Sequence, residues 1–176
     1  MPHSSNPAAA AEAAPPVVAA FISEFVSKVD SQYTILKESS DDPLRISLFD
    51  LQMETLIFGL HCLDRAVFTY WGDEYRIAFM NFAFGFACEM FSDALPESQR
   101  EIFLEGFKKH CDTRQAEYGL MKPIAGEDGA MKNVLPYEFS KRLCIHDGAY
   151  NPVVQIVLME WAEGIMTMML KIGERL

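Results

Sequence analysis

Basic side chains are scarce in this chain: 15 Lys and Arg stand against 25 Asp and Glu, a formal net charge of −10. Nucleic-acid binding needs clustered Lys and Arg to neutralise phosphates, so the balance argues against it. An anionic membrane surface is disfavoured for the same reason. Paired cysteines are also missing. Cys62, Cys88, Cys111 and Cys144 include no CxxC, three of them fall in helical patterns, and a secreted disulfide framework belongs to smaller, loop-rich chains. Reduced thiols in a cytoplasmic protein are expected. Apart from His3 the first basic side chain is Lys28, so neither the n-region of a signal peptide nor the Arg content of a transit peptide is present. Long apolar runs are lacking too. The most apolar stretch, Ile77 to Phe91, carries Asn81 and Glu89 and falls short of the ~20 residues of a membrane span. No transmembrane segment is expected.

Familiar chemical motifs are absent as well. There is no GxGxxG, GxSxG, HExxH or EF-hand loop, and CxxCH, the mark of a c-type haem, does not occur. The Glu-x-x-His pairs of a di-iron bundle are missing. GEDGAMKN in the 119–134 loop lacks the phosphate-loop spacing and no strand precedes it. No cofactor is expected.

What the chain does have is apolar substance in helical order. Half of it (50 %) is hydrophobic and only 23 % is charged, ample for one core in 176 residues. Residues 1–14 are small, polar and Pro-bounded, which predicts a disordered tail before a single domain over 15–176. From Pro15-Pro16, Val18, Ile22, Phe25, Val29, Tyr33 and Leu36 form one stripe, up to the break at ESSDDP. Asp42-Pro43 signals the start of a second helix, apolar on most sides and therefore central, that ends at Gly72. Asp73 begins a Phe-rich third helix to about Ala94. With so short a joint, the two should form an antiparallel hairpin. Pro96 opens a charged surface helix to about Gly119, its narrow stripe made by Ile102, Phe103, Phe107, Cys111 and Tyr118. After the loop come a short helix from Pro136 to about Ile145, a turn at Asp147-Gly148, and a last helix begun by Asn151-Pro152. The fold class expected is all-α: an antiparallel helical bundle of about five main helices.

Polar residues inside the two most apolar helices are the candidate site. Glu54, His61, Asp64 and Arg65 lie near one stripe of the second helix, and Asn81, Gly85 and Glu89 near one stripe of the third. Across a hairpin turning at 72–73, Arg65 falls level with Asn81 and His61 near Gly85. A network satisfying its own charges is the favoured reading, and a ligand pocket between facing helices the rival. Thiol and imidazole also adjoin at His61-Cys62, His110-Cys111 and Cys144-x-His146. Neighbours on a helix point ~100° apart, which speaks against a shared zinc, and no metal site is assigned. Met159, Met166, Met168, Met169 and Trp161 on the last helix suit a core, and they also make the 152–176 helix a candidate interface. The expected function is a non-enzymatic helical protein–protein interaction module, a homodimer or subunit of an assembly. The alternative is a small-molecule or metal-binding bundle, or an enzyme, using the polar cluster.

Overall fold

The computed structural model describes residues 7–38, 47–93, 95–120, 124–125, 131–132, 134–146, 149–150 and 152–176. The protein is all-α. Its helices are α1 (Pro7–Glu24), α2 (Val29–Glu38), α3 (Leu48–Trp71), α4 (Asp73–Asp93), α5 (Glu97–Gly119), α6 (Val134–Cys144) and α7 (Pro152–Arg175), with a 3-10 turn Val26–Lys28 joining the first two. Five of them run 18 to 24 residues and are the main helices of the bundle. Two antiparallel ladders, β1 (Ile124–Ala125) with β2 (Met131–Lys132) and β3 (Ile145–His146) with β4 (Ala149–Tyr150), are two residues per strand and form no layer.

The first helix begins earlier than its composition suggests. Residues 1–6 lie outside the described residues, but from Pro7 the chain is helical, and Ala10 and Ala14 are fully buried. An expected tail over 1–14 is therefore corrected for 7–14. The physical reason is that alanine has the highest helix propensity and needs little space against a neighbour. Pro15 and Pro16 consequently sit inside α1 rather than at its first turn, where they remove two backbone donors. The predicted single stripe to Leu36 is interrupted by the 3-10 turn, which lets Val26 and Val29 both turn inward.

Helix α3 is the axis of the molecule. Met53 through Leu63 are buried without interruption, as expected of a helix apolar on most sides. Its start differs from the sequence reading. Asp42-Pro43 lies outside the described residues, and Ser47 is the cap: its backbone is extended (ψ 152°) and its Oγ accepts from the Asp50 N–H at 3.0 Å. Gly72 ends α3 with φ +79° and ψ −178°, a backbone region essentially restricted to glycine, and α4 leaves at once.

The contacts show how successive helices alternate. On the central helix, Phe49, Glu54 and His61 of α3 meet Phe103, His110 and Gln115 of α5 in step, so α3 and α5 run in the same direction. Thr55 and Trp71 meet Trp161 and Gly173 in the same sense, which sets α7 parallel to α3 as well. The tightest pairs are α1 with α4, α3 with α7, and α6 with α7. Two close approaches fix this packing. A Cβ on Gly59 would lie 2.0 Å from Cζ of the buried Phe21, and one on Gly173 would lie 2.8 Å from the Ala66 Cβ. Helix α4 buries a narrow stripe, Tyr75, Phe79, Ala83 and Ala87, and leaves Ile77, Phe82 and Met90 in solvent.

By length and composition alone two helical stretches, Ala8–Glu38 and Pro152–Arg175, could cross a bilayer, where the sequence reading expects none. Both also contribute to the bundle core through Val18, Phe21, Leu158 and Ile165.

Candidate functional site

Helix α5 supplies the partners that the polar residues of α3 need. Glu54 is only 6 % exposed, deep among apolar side chains, where an unpaired carboxylate would be prohibitive. Arg114 answers it through Nε, which donates to both carboxylate oxygens at 2.9 and 3.2 Å. His110 Nε2 lies 2.8 Å from Glu54 Oε1. Arg114 also donates from Nη1 to Glu117 Oε2 at 2.9 Å, so one guanidinium ties two carboxylates. Burial by itself would lower the Arg114 pKa; Glu54 and Glu117 outweigh it and raise it, so this cation is fixed.

Two turns further along, His61 Nδ1 lies 2.7 Å from Gln115 Oε1, and its ring packs 5.2 Å from that of Tyr118. Burial lowers the His61 pKa, an effect only partly offset by Gln115 and Asp64. The neutral imidazole donates here, because a Gln carbonyl oxygen can only accept. Phe58 closes the floor with edge-on contact to Tyr118 and a tilted contact to Phe139 of α6.

The expected constellation is thus divided. Glu54 and His61 are buried and networked, but with α5. Asp64 reaches α4 through Arg76 Nη1 at 3.4 Å, and Arg76 also pairs with Asp73 at 3.1 Å. Arg65, Asn81 and Glu89 are exposed and join none of this. Gly85 is exposed too, with open space where a side chain would stand. The hairpin expectation puts the polar stripe of α4 toward α3, whereas α4, packed on both α1 and α3, buries Ala83 and Ala87 and leaves its Asn81–Glu89 face outside. In the sequence His110 stands out only beside Cys111, and Arg114 and Gln115 not at all, because α5 is charged nearly all round. The available signal was their position: they flank the buried stripe Phe107, Cys111 and Tyr118 at helical spacing. Ile102, read as part of that stripe, is 75 % exposed.

Beside the network an apolar groove of about 300 Å³ opens between α3 and α5, lined by Phe49, Met53, Ile102, Phe103, Phe107 and His110 with Asp50 and Gly106. His110 is both a partner of Glu54 and a wall of this groove. Phe103 stacks on Phe107 (5.8 Å), which stacks on Phe84 of α4 (5.6 Å), giving the groove a firm aromatic base.

No group of three or more His, Cys, Asp or Glu side chains among the described residues could hold a metal ion. Around Glu54 the cation already in place is Arg114. Burial pushes the thiols of Cys62 and Cys111 far up, so they stay protonated and poorly nucleophilic. Trp161, counted toward an interface, packs 5.1 Å from Phe25 and donates from Nε1 to Thr55 Oγ1 at 3.4 Å, and Met169 is fully buried. The face that α7 leaves outside consists of Val153, Ile156 and Leu170 around a polar stripe. Compared with protein-family models, with curated proteins and with solved structures, the chain finds no match.

Proposed function

We propose that this chain is a non-enzymatic helical protein–protein interaction module that associates with itself. The observation that carries the reading is the set of large apolar side chains left in solvent on several helices. They include Phe49 and Phe68 on α3, Ile77, Phe82 and Met90 on α4, Ile102 and Leu104 on α5, and Val153, Ile156 and Leu170 on α7. Single exposed apolar residues are ordinary; several per helix on neighbouring turns are a mark of surfaces that meet other chains. The polar network supports the same reading, because both oxygens of Glu54 and the Nδ1 of His61 already have protein partners that hold α5 on α3. Buried thiols are at home in a reducing compartment, and we place the protein in the cytoplasm on that ground. Sedimentation velocity on the full chain over a wide concentration range tests the proposal. A species heavier than 19.9 kDa that grows with concentration is expected, and a monomer throughout would sink it.

A second reading rests on the α3/α5 groove alone: an apolar cleft with one imidazole on its wall suits a small ligand with an apolar body and one polar end. The fluorescent probe 8-anilinonaphthalene-1-sulfonate would bind the native protein under this reading. The Ile102→Arg variant would lose the signal at unchanged stability, whereas equal signal in both removes the groove from consideration.

A further inference from the structure

We infer that α7 pairs with α7 of a second copy, antiparallel about a two-fold axis near Thr167 and Met168. The inference rests on the self-association reading above and gives it a surface. Of the α7 charges that line its outer groove, Glu160 and Glu163 precede the midpoint and Lys171 and Arg175 follow it, and all four are exposed; exposed Glu174 also follows it but lies outside that lining. Among the described residues none of the four has an ion-pair partner, although Glu24 nearby is matched by Lys28 at 2.7 Å.

A two-fold axis reverses such an order, so the face is complementary to itself. With the axis between 167 and 168, Glu160 of one copy stands opposite Arg175 of the other, and Glu163 beside Lys171. Each pair occurs twice, and the outer pairs are ~22 Å apart at 1.5 Å per residue. In the parallel arrangement Glu would face Glu and Lys would face Lys, which selects the antiparallel one.

The surface between these charges is shaped for close approach. An open groove of about 820 Å³ runs between α1 and this face of α7, with Phe25, Gly164, Met168 and Ile172 supplying apolar or side-chain-free floor and the four α7 charges and Glu24 of α1 on its rim. Exposed Gly164 and Thr167 keep the centre low, so a facing helix can approach Met168 and Phe25. A lipid surface fits less well, since it offers nothing opposite to Glu160 and Glu163 near the middle of the helix, whereas a second copy brings Lys171 and Arg175 from its C-terminal end.

The experiment uses two charge variants of the full chain. Lys171→Glu/Arg175→Glu makes the four groove-lining charges of α7 all acidic, and Glu160→Lys/Glu163→Lys makes them all basic. Each alone is expected to sediment as monomer at concentrations where the wild type is dimeric, a loss of association of tenfold or more, on the order of one well-placed charge interaction reversed. The equimolar mixture is expected to recover the dimer, as a heterodimer of one acidic and one basic face. Lys108→Glu/Lys109→Glu on α5 controls for net charge and is expected to leave the dimer intact. A wild-type dimer that persists in both variants refutes the α7 pairing and leaves the self-association reading standing. A wild-type monomer at every concentration refutes that reading itself. Flotation of wild-type protein with phosphatidylcholine vesicles would refute the pairing in favour of a lipid-facing α7.

Discussion

Arg114 and Arg65 carry the same charge and stand in opposite circumstances. Arg114 is 18 % exposed with Glu54 beneath it at 8 %, so its removal leaves a nearly buried carboxylate with His110 as its remaining partner. Arg114→Ala is expected to cost about 2–3 kcal/mol, somewhat under the ~3–5 kcal/mol of a fully buried pair because His110 stays in place. Arg65→Ala, in solvent, is expected to change stability by no more than ~0.5 kcal/mol. Urea unfolding of the two variants checks both, and equal losses would refute the assignment of the network to α5. His61 adds a pH dependence whose sign follows from its burial. Its folded pKa lies below the ordinary 6.5, so the unfolded chain takes up the proton first and the unfolded state gains as pH falls. The stability His61 contributes is full above about pH 7 and is lost as pH falls below the ordinary imidazole value. The His61→Gln variant, unable to titrate, should show a shallower fall in urea midpoint between about pH 7 and 5 than the wild type. Identical slopes would mean that His61 is not buried neutral.

Helices are placed in this molecule by where they let a neighbour in and where they stop. At Gly59 of α3 the Phe21 ring occupies the space of a Cβ, at 2.0 Å. Gly59→Ala raises helix propensity by ~1 kcal/mol but overpacks a site where the ring is itself buried, typically ~1–3 kcal/mol. A net loss of about 1 kcal/mol is expected, relieved in the double variant with Phe21→Leu; a more stable single variant would show that α1 does not rest there. Gly72 is the opposite case. Nothing lies within 4 Å of its hypothetical Cβ, and the constraint is the backbone alone. Gly72→Ala is therefore expected to cost about 1–3 kcal/mol through the backbone, and Gly72→Asn about as much, because ψ −178° lies outside the left-handed region that Asn tolerates. Thermal melts of the two variants should show similar losses, and an Asn variant as stable as the wild type would refute this backbone.

One hydrophobic cluster runs through the described helices, from Ala10 on α1 through Leu56 on α3 and Phe107 on α5 to Phe139 on α6 and Met169 on α7. A chain built this way should unfold in one transition, with far-ultraviolet circular dichroism and Trp fluorescence superimposing; separated midpoints would divide it into more than one unit. How far the sequence reached can be traced on particular residues. Periodicity and punctuation are local, and they located all five main helices, the turn at Gly72 and the central position of α3, because a helix that is apolar on most sides has to be surrounded. Neighbours are not local. A short turn between adjacent helices predicts that they pair, which puts Asn81 and Glu89 opposite Glu54 and His61. The structure gives that place to His110, Arg114 and Gln115. Helix α4 buries the stripe of Tyr75, Phe79, Ala83 and Ala87, and so its polar stripe faces outward while α5 comes alongside α3. Alanine propensity likewise carried α1 back to Pro7, across a segment whose composition alone read as a tail. Which residues would be helical was thus determined by the sequence through the spacing of apolar side chains. Which polar groups would meet was decided only by the tertiary structure, because their partnership depends on which helix faces the fold can bring within ångströms of one another.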